Sequence, residues 1–190
     1  MKRSLIIMVK EPRPGRVKTR LGGDIGVIPA TWWFRHQSAR LIRRLCDPRW
    51  QIVLAVAPDT AAASKVWPAD LPRLPQGGGD LGQRMKRMLR AAPGPVCLIG
   101  ADIPGITRAH IARAFAALGG HDAVFGPAAD GGYWLVGAKH PSRLPKGMFE
   151  NVRWSTEHAL ADTLNTLPGW RIALTDTLQD VDTAADLPRR

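Results

Sequence analysis

The sequence predicts an α/β fold: a single-domain αβα sandwich around a mostly parallel mixed sheet. Three observations carry this. Short apolar runs at 4–9, 51–57 and 95–100 read as buried strands. Segments with apolar residues at helical spacing separate them. Strands that alternate with helices build a parallel sheet covered on both faces. The 190 residues suffice for one domain, 1–190, with a substantial core.

The elements follow in order. Leu5 to Val9 is a continuous apolar run and forms the first strand. Residues 10–26 read as a loop rich in glycine, proline and charge. Pro29 opens a helix in which Ala30, Trp33, Phe34, Leu41, Ile42 and Leu45 recur up to Cys46, and Asp47-Pro48 ends it. Residues 51–57 form a second strand, 61–66 a short helix, and 71–74 a weak strand compromised by flanking prolines. Leu81, Met85, Met88 and Leu89 mark another helix, and 95–100 is a strong strand. Thr107 caps a helix carrying Ile111, Ala114, Phe115 and Leu118. Residues 122–125 and 133–137 are strands around a glycine-rich turn. Ser155 or Thr156 caps a helix that runs to Leu167, and 171–175 is the last strand. Thr183-Ala-Ala-Asp186 has the form of a capping box for a terminal helix.

Composition narrows the function. The net charge is +11, and a basic balance points to an anionic partner. Seven basic residues against one acid, Glu11, fall in the first twenty positions, among prolines and Gly15. That setting suits a phosphate-binding loop better than a nucleic-acid groove, and no aromatic-rich RNA-binding strand motif is present. Cys46 and Cys97 read as small core hydrophobes, with no clustered ligands for zinc. The five histidines lack ligand spacing, and no Gly-x-Ser-x-Gly elbow supports an esterase. No apolar run approaches the ~20 residues of a membrane span. The run at 5–9 is too short for a signal peptide, so a cytoplasmic location is expected.

Five constellations carry candidate chemistry, and ligands in such sheets bind beyond the carboxyl ends of the strands. The loop after the first strand holds Gly15, Arg16, Lys18 and Arg20, which offer N–H groups and cations to phosphate oxygens. It lacks Walker A spacing. The segment Gln76-Gly-Gly-Gly-Asp-Leu-Gly82 suits close approach of a base or sugar. It also matches Gly-x-Gly-x-x-Gly with Asp102 about twenty residues on, so a dinucleotide fingerprint and a plain turn stay open. Asp102, at the end of the strongest internal strand, can hold a divalent cation that bridges diphosphate oxygens, or it can be a turn aspartate. Asp130-Gly131-Gly132 is a tight turn before Tyr133. It reads as a plain hairpin or as an acceptor platform in which Asp130 is a hydrogen-bond acceptor or base. Asp180 and Asp182 share one side if extended, and either one completes the metal site or caps the last helix.

These motifs occur together in an order that resembles the bacterial glycosyltransferase A-type, or nucleotide-diphospho-sugar transferase, superfamily. The relevant residues are Lys10-x-Pro-x-Pro-Gly-x-x-Lys-Thr-Arg-Leu21, Gly79-Asp-Leu-Gly-x-Arg-Met85, Ile99-Gly-Ala-Asp-Ile-Pro104, Gly126-Pro-x-x-Asp-Gly-Gly-Tyr133 and Trp154-Ser-Thr156. The chain is most similar to the group of uncharacterised and arsenosugar-biosynthesis-type glycosyltransferases. It also resembles phospholactate guanylyltransferases and, more distantly, molybdenum cofactor guanylyltransferases. The resemblance implies that Lys10, Gly15, Arg16, Lys18 and Arg20 hold phosphates and that Gln76, Gly79, Asp80, Leu81 and Gly82 lie against the nucleotide. It implies magnesium or manganese on Asp102, with Asp180 or Asp182 as partner ligand. It further implies that Asp130, Gly131, Gly132, Tyr133 and Trp154 face the acceptor, and Asp102, Asp130 and Lys18 are the expected catalytic set.

The expected reaction is glycosyl transfer from a nucleotide sugar to a small acceptor. Nucleotidyl transfer to a phosphorylated small molecule, with release of pyrophosphate, is the alternative, and a non-catalytic nucleotide or nucleic-acid binder is a third reading. A nucleoside triphosphate or nucleotide sugar is thus the expected partner rather than nucleic acid.

Overall fold

The computed structural model describes residues 2–179 and 183–186. Its centre is a seven-stranded sheet in the order β3-β2-β1-β4-β6-β5-β7. The strands are β1 (Arg3–Lys10), β2 (Trp50–Ala57), β3 (Arg73–Pro75), β4 (Val96–Gly100), β5 (Ala123–Pro127), β6 (Tyr133–Ala138) and β7 (Ile172–Leu174). All neighbours run parallel except β6, which is antiparallel to β4 and β5.

The first strand shows why its sequence is apolar throughout. Leu5, Ile7 and Val9 face one layer and Ile6 the other, because successive side chains alternate across a sheet. The first layer is built by α2 (Val27–Leu45) and α4 (Arg108–Ala117), which bury Leu41, Ile42, Leu45, Ile111, Ala114 and Phe115. The second is built by α3 (Leu81–Arg90) through Met85, Met88 and Leu89, and by α5 (Ala159–Asn165) through Leu160 and Leu164. The chain is an αβα sandwich. The crossovers after β1 and after β4 build the sheet outward in opposite directions, so the crevice between the two strand ends is the topological switch point.

Several expectations need correction. The segment 10–26 is not all loop, because its second half is the helix α1 (Thr19–Ile25), which buries Leu21 and Gly22. Two glycines and the loop-like charge hide this turn from a periodicity reading. Residues 59–63 form a 3-10 turn in place of the helix expected at 61–66. Neither Ser155 nor Thr156 caps α5, since that helix starts at Ala159 and His158 precedes it without a side-chain cap. The Thr156 hydroxyl instead donates to the Arg153 carbonyl at 2.8 Å. Thr183 and Asp186 do bond to one another, but around a 3-10 turn, Ala184–Asp186. Cys97 is a core residue, whereas Cys46 is exposed just past the end of α2.

Candidate active site

A cleft of about 710 Å³ opens over the carboxyl ends of β1 and β4. Nine of the expected residues line it: Lys10, Lys18, Arg20, Gln76, Gly79, Asp80, Leu81, Asp102 and Tyr133. They reach it from four segments brought together by the strand order.

Lys18 is the deepest of the cations. It occupies the position before α1 with φ +46° and ψ +51°, a left-handed conformation that non-glycine residues seldom adopt. This kink turns its side chain inward, and only 7% of the side chain is exposed. Its Nζ lies 3.4 Å from Oδ2 of Asp102, whose own side chain is 41% exposed to the cleft. Asp102 sits just past β4. A Cβ on Gly100 would stand 2.7 Å from Asp102 Oδ1, so the carboxylate folds back over that glycine. Arg44, on the last turn of α2, ties down the rest of this turn. Its Nη1 donates to the Pro104 carbonyl at 2.5 Å and to the Ile106 carbonyl at 3.2 Å.

The glycine-rich segment forms the opposite wall. Asp80 caps α3 through a reciprocal pair with Gln83: Gln83 N to Asp80 Oδ1 is 2.8 Å, and Asp80 N to Gln83 Oε1 is 3.2 Å. Gly79 has φ +99°, which permits the tight approach to that cap. The segment follows β3, a three-residue strand at the edge of the sheet, whereas a dinucleotide fingerprint belongs to a central strand. Arg84 also lines the cleft, with Nε on the Gly79 carbonyl at 2.9 Å.

Other expected residues lie apart from the cleft lining. Gly15 and Arg16 are exposed in the turn before Val17. Gly82 is buried against the 149–154 segment, where a Cβ would stand 2.6 Å from Phe149 Cβ and 2.8 Å from the Trp154 ring. Trp154 in turn packs edge-on to Tyr133, with ring centroids 6.5 Å apart. Asp130 is exposed and accepts from Gly132 N at 3.0 Å, as a turn aspartate does. Gly131, at φ +84°, lies beneath the backbone of Glu157 and its carbonyl accepts from Leu160 N at 3.0 Å, so Gly131 seats the later loop, while Gly132 lies against the Asp130 carboxylate. Burial raises the Tyr133 phenol well above its ordinary pKa, with the Thr163 hydroxyl 3.3 Å away, so Tyr133 stays neutral. Asp180 and Asp182 lie outside the described residues. Sequence reasoning missed Arg44, Thr19, Phe34 and Arg84 as parts of the site; Thr19 and Arg84 had a signal, inside the Lys10–Leu21 and Gly79–Met85 motifs.

Among the described residues no group of three His, Cys, Asp or Glu side chains could cage a metal ion. Among the described residues, Asp102 alone presents a carboxylate free of helix-capping duty to the cleft. A carboxylate so placed can hold magnesium or manganese together with phosphate oxygens and water.

Residues 41–156 match a family described as uncharacterized proteins conserved in bacteria, DUF2064. The chain belongs to this family. No curated protein matches the sequence. Among solved structures, a candidate nucleotide-diphospho-sugar transferase from Desulfovibrio desulfuricans G20 is similar with a TM-score of 0.84 and 27% identity, over 96% of this chain and 84% of that one. A 4-diphosphocytidyl-2C-methyl-D-erythritol synthase from Anaerococcus prevotii shares the fold at a TM-score of 0.61 and 11% identity, covering 97% and 92% of the two chains. A Mycobacterium tuberculosis protein in complex with manganese does so at 0.57 and 14%, covering 98% and 96%. The family member described here therefore has the nucleotide-diphospho-sugar transferase fold, and no helix among its described residues is long and apolar enough to cross a membrane.

Proposed function

We propose that the chain is a nucleotide-using group transferase and that its cleft binds the phosphates of a nucleoside triphosphate or nucleotide sugar. The observation that carries this is the Lys18–Asp102 pair at the switch point, a nearly buried cation beside a carboxylate open to the cleft. Such a pair offers one phosphate oxygen a direct ammonium contact and another a cation bridge to the carboxylate. Magnesium or manganese on Asp102 would supply that bridge and stabilise charge on the leaving phosphates. The likeness to the Desulfovibrio protein supports the same class.

Within this class, nucleotidyl transfer is the reading the cleft supports best. Among the described residues, the carboxylates that line it are Asp80, committed to capping α3, and Asp102, paired with Lys18. No histidine lines it, and Asp130 lies outside its lining. A base to deprotonate a sugar or alcohol is thus missing from the described lining. An ionised phosphate acceptor needs none: its oxygen attacks the α-phosphorus and the bond to pyrophosphate breaks. Lys18 would steady the α-phosphate as charge shifts to the leaving group. Glycosyl transfer is the second reading, favoured by the description of the Desulfovibrio protein as a transferase of nucleotide-diphospho-sugars.

The test is a panel of nucleoside triphosphates and nucleotide sugars with manganese, read by thermal shift and then by product. Pyrophosphate release supports nucleotidyl transfer, and nucleoside diphosphate release supports glycosyl transfer. A manganese-dependent shift that persists undiminished in Asp102→Ala overturns the role of Asp102.

A further inference from the structure

Helix α2 carries on its outer side a face that the fold leaves uncovered. Among the described residues, the large apolar side chains left exposed are Val27, Ile28, Trp32, Leu81 and Leu174. Leu81 lines the cleft and Leu174 lies on the edge strand β7. The other three share the first two turns of α2, at 46%, 55% and 53% exposure. Ile28 and Trp32 are one turn apart and stand on the same side. Arg35, His36 and Arg43 continue that side and Arg40 flanks it, all four exposed. Arg35 Cζ lies 5.5 Å from the centroid of the Trp32 ring, and the His36 ring stacks on it at 5.6 Å, so the apolar and cationic parts are continuous.

The charge of this helix has one sign. Its 19 residues include Arg35, Arg40, Arg43 and Arg44 and no aspartate or glutamate. Elsewhere surface arginines are matched: Arg49 with Asp47, Arg113 with Asp176, Arg153 with Asp162 and Arg171 with Asp122. Among the described residues no carboxylate pairs with Arg35, Arg40 or Arg43. Unmatched cations behind an exposed Ile–Trp step complement a partner that is anionic on its surface and apolar just beneath.

We propose that this face of α2 docks the protein on an anionic lipid bilayer, with Val27, Ile28 and Trp32 in the boundary between headgroups and acyl chains and Arg35, Arg40 and Arg43 among the lipid phosphates. A tryptophan suits that boundary because its ring is apolar and its N–H polar. Arginine stems lie along apolar surface while their guanidinium groups reach phosphate. The small area disfavours a protein partner: three partly exposed side chains fall far short of the ~800 Å² per partner that a stable complex buries. A second copy meeting through the same face would set arginines against arginines. A nucleic acid would use Trp32 as a stacking platform, but Arg35 and His36 already pack on that ring, and Val27 and Ile28 have no counterpart on a phosphate backbone. Phe34, on the buried side of the same helix, lines the cleft, so substitutions on the outer side leave the cleft lining intact.

The full chain is sedimented with vesicles of phosphatidylcholine that contain about one third phosphatidylglycerol, and with vesicles of phosphatidylcholine alone. We expect at least tenfold tighter binding to the anionic vesicles, weakening as salt is raised. A net charge of +11 by itself gives some salt-dependent binding, so the apolar step decides. Ile28→Ser with Trp32→Ser keeps the charge and should weaken binding to the anionic vesicles at least tenfold. Arg35→Gln, Arg40→Gln and Arg43→Gln together should do the same, whereas Leu174→Ser, exposed on the far edge of the sheet, should leave it unchanged. Thermal melts establish that each variant is folded. Undiminished vesicle binding by Ile28→Ser with Trp32→Ser overturns the proposal. Equal binding of the wild type to both kinds of vesicle, or binding to neither, overturns it without any variant. Self-association in sedimentation velocity that Trp32→Ser abolishes assigns the face to a second copy. Duplex DNA bound more tightly than vesicles, through the three arginines and not through Ile28 and Trp32, assigns it to nucleic acid. Either of these results also overturns the bilayer.

Discussion

Lys18 and Asp102, 84 positions apart in the chain, meet at 3.4 Å because β1 and β4 are neighbours in the sheet. The lysine arrives through a left-handed residue and the aspartate through a turn folded over a glycine. Each of these local features can be altered separately.

The backbone of Lys18 and its ammonium can be separated by two substitutions. Lys18→Gly and Lys18→Ala both remove the cation, but only glycine accepts φ +46° without strain. The glycine variant should be more stable than the alanine variant by about 1 kcal/mol in urea melts. Both should lose nucleotide-dependent thermal shift. Recovery of that shift in Lys18→Gly would show that the backbone, and not the charge, is what matters.

Gly100→Ala should impair function with little effect on folding. The added methyl meets only the end of the Asp102 side chain, which can move aside. Stability should change by less than about 1 kcal/mol, while manganese-dependent nucleotide binding falls at least tenfold. The reverse pattern is expected at Gly82→Ala. There the methyl meets Phe149 Cβ and the Trp154 ring, and overpacking should cost about 1–3 kcal/mol on a denaturant curve.

The strands and long helices were legible because their apolar periods are strong. Helix α1 was not, since Gly22 and Gly23 dilute its pattern, and its short buried face shows only once the helix packs against α2. Lys10, Lys18, Arg20 and Asp102 could be picked out as residues that follow strands. Arg44 could not, because its role lies in two backbone carbonyls sixty or so positions away. Gly82 was legible as important but for a different reason: it makes room for Phe149 and Trp154.

Arg44→Lys should loosen the Asp102 turn without emptying the cleft. Arg44 Nη1 donates to both the Pro104 and Ile106 carbonyls, and a lysine ammonium on its shorter stem does not set a donor at that point. We expect the manganese concentration for half-maximal activity to rise about tenfold, with a smaller change in nucleotide affinity measured without metal. An equal loss in both would make Arg44 a general stability residue instead.

Acid should unfold the protein through its arginine-paired aspartates. The Arg49 guanidinium holds Asp47 down from 3.8 to about 2, and Arg153 and Arg113 likewise lower Asp162 and Asp176. For a lowered carboxylate the stabilisation is complete above its unfolded value and is lost as pH falls through the folded one. Tm should therefore be insensitive to these groups from pH 7 to about 5 and fall between about pH 4 and 2. Asp162→Asn should shallow that fall, as followed by circular dichroism.

Lys18 is supplied by the first half of the chain and Asp102 by the second, with the 91–95 connection, exposed at Ala91 and Pro93, between them. Neither half carries both members of the pair. Cutting the chain at that connection should yield two fragments that are each silent toward nucleotide and regain binding when mixed, as β1 finds β4. Substrate affinity would then report directly on strand pairing, and the protein would serve as its own complementation sensor.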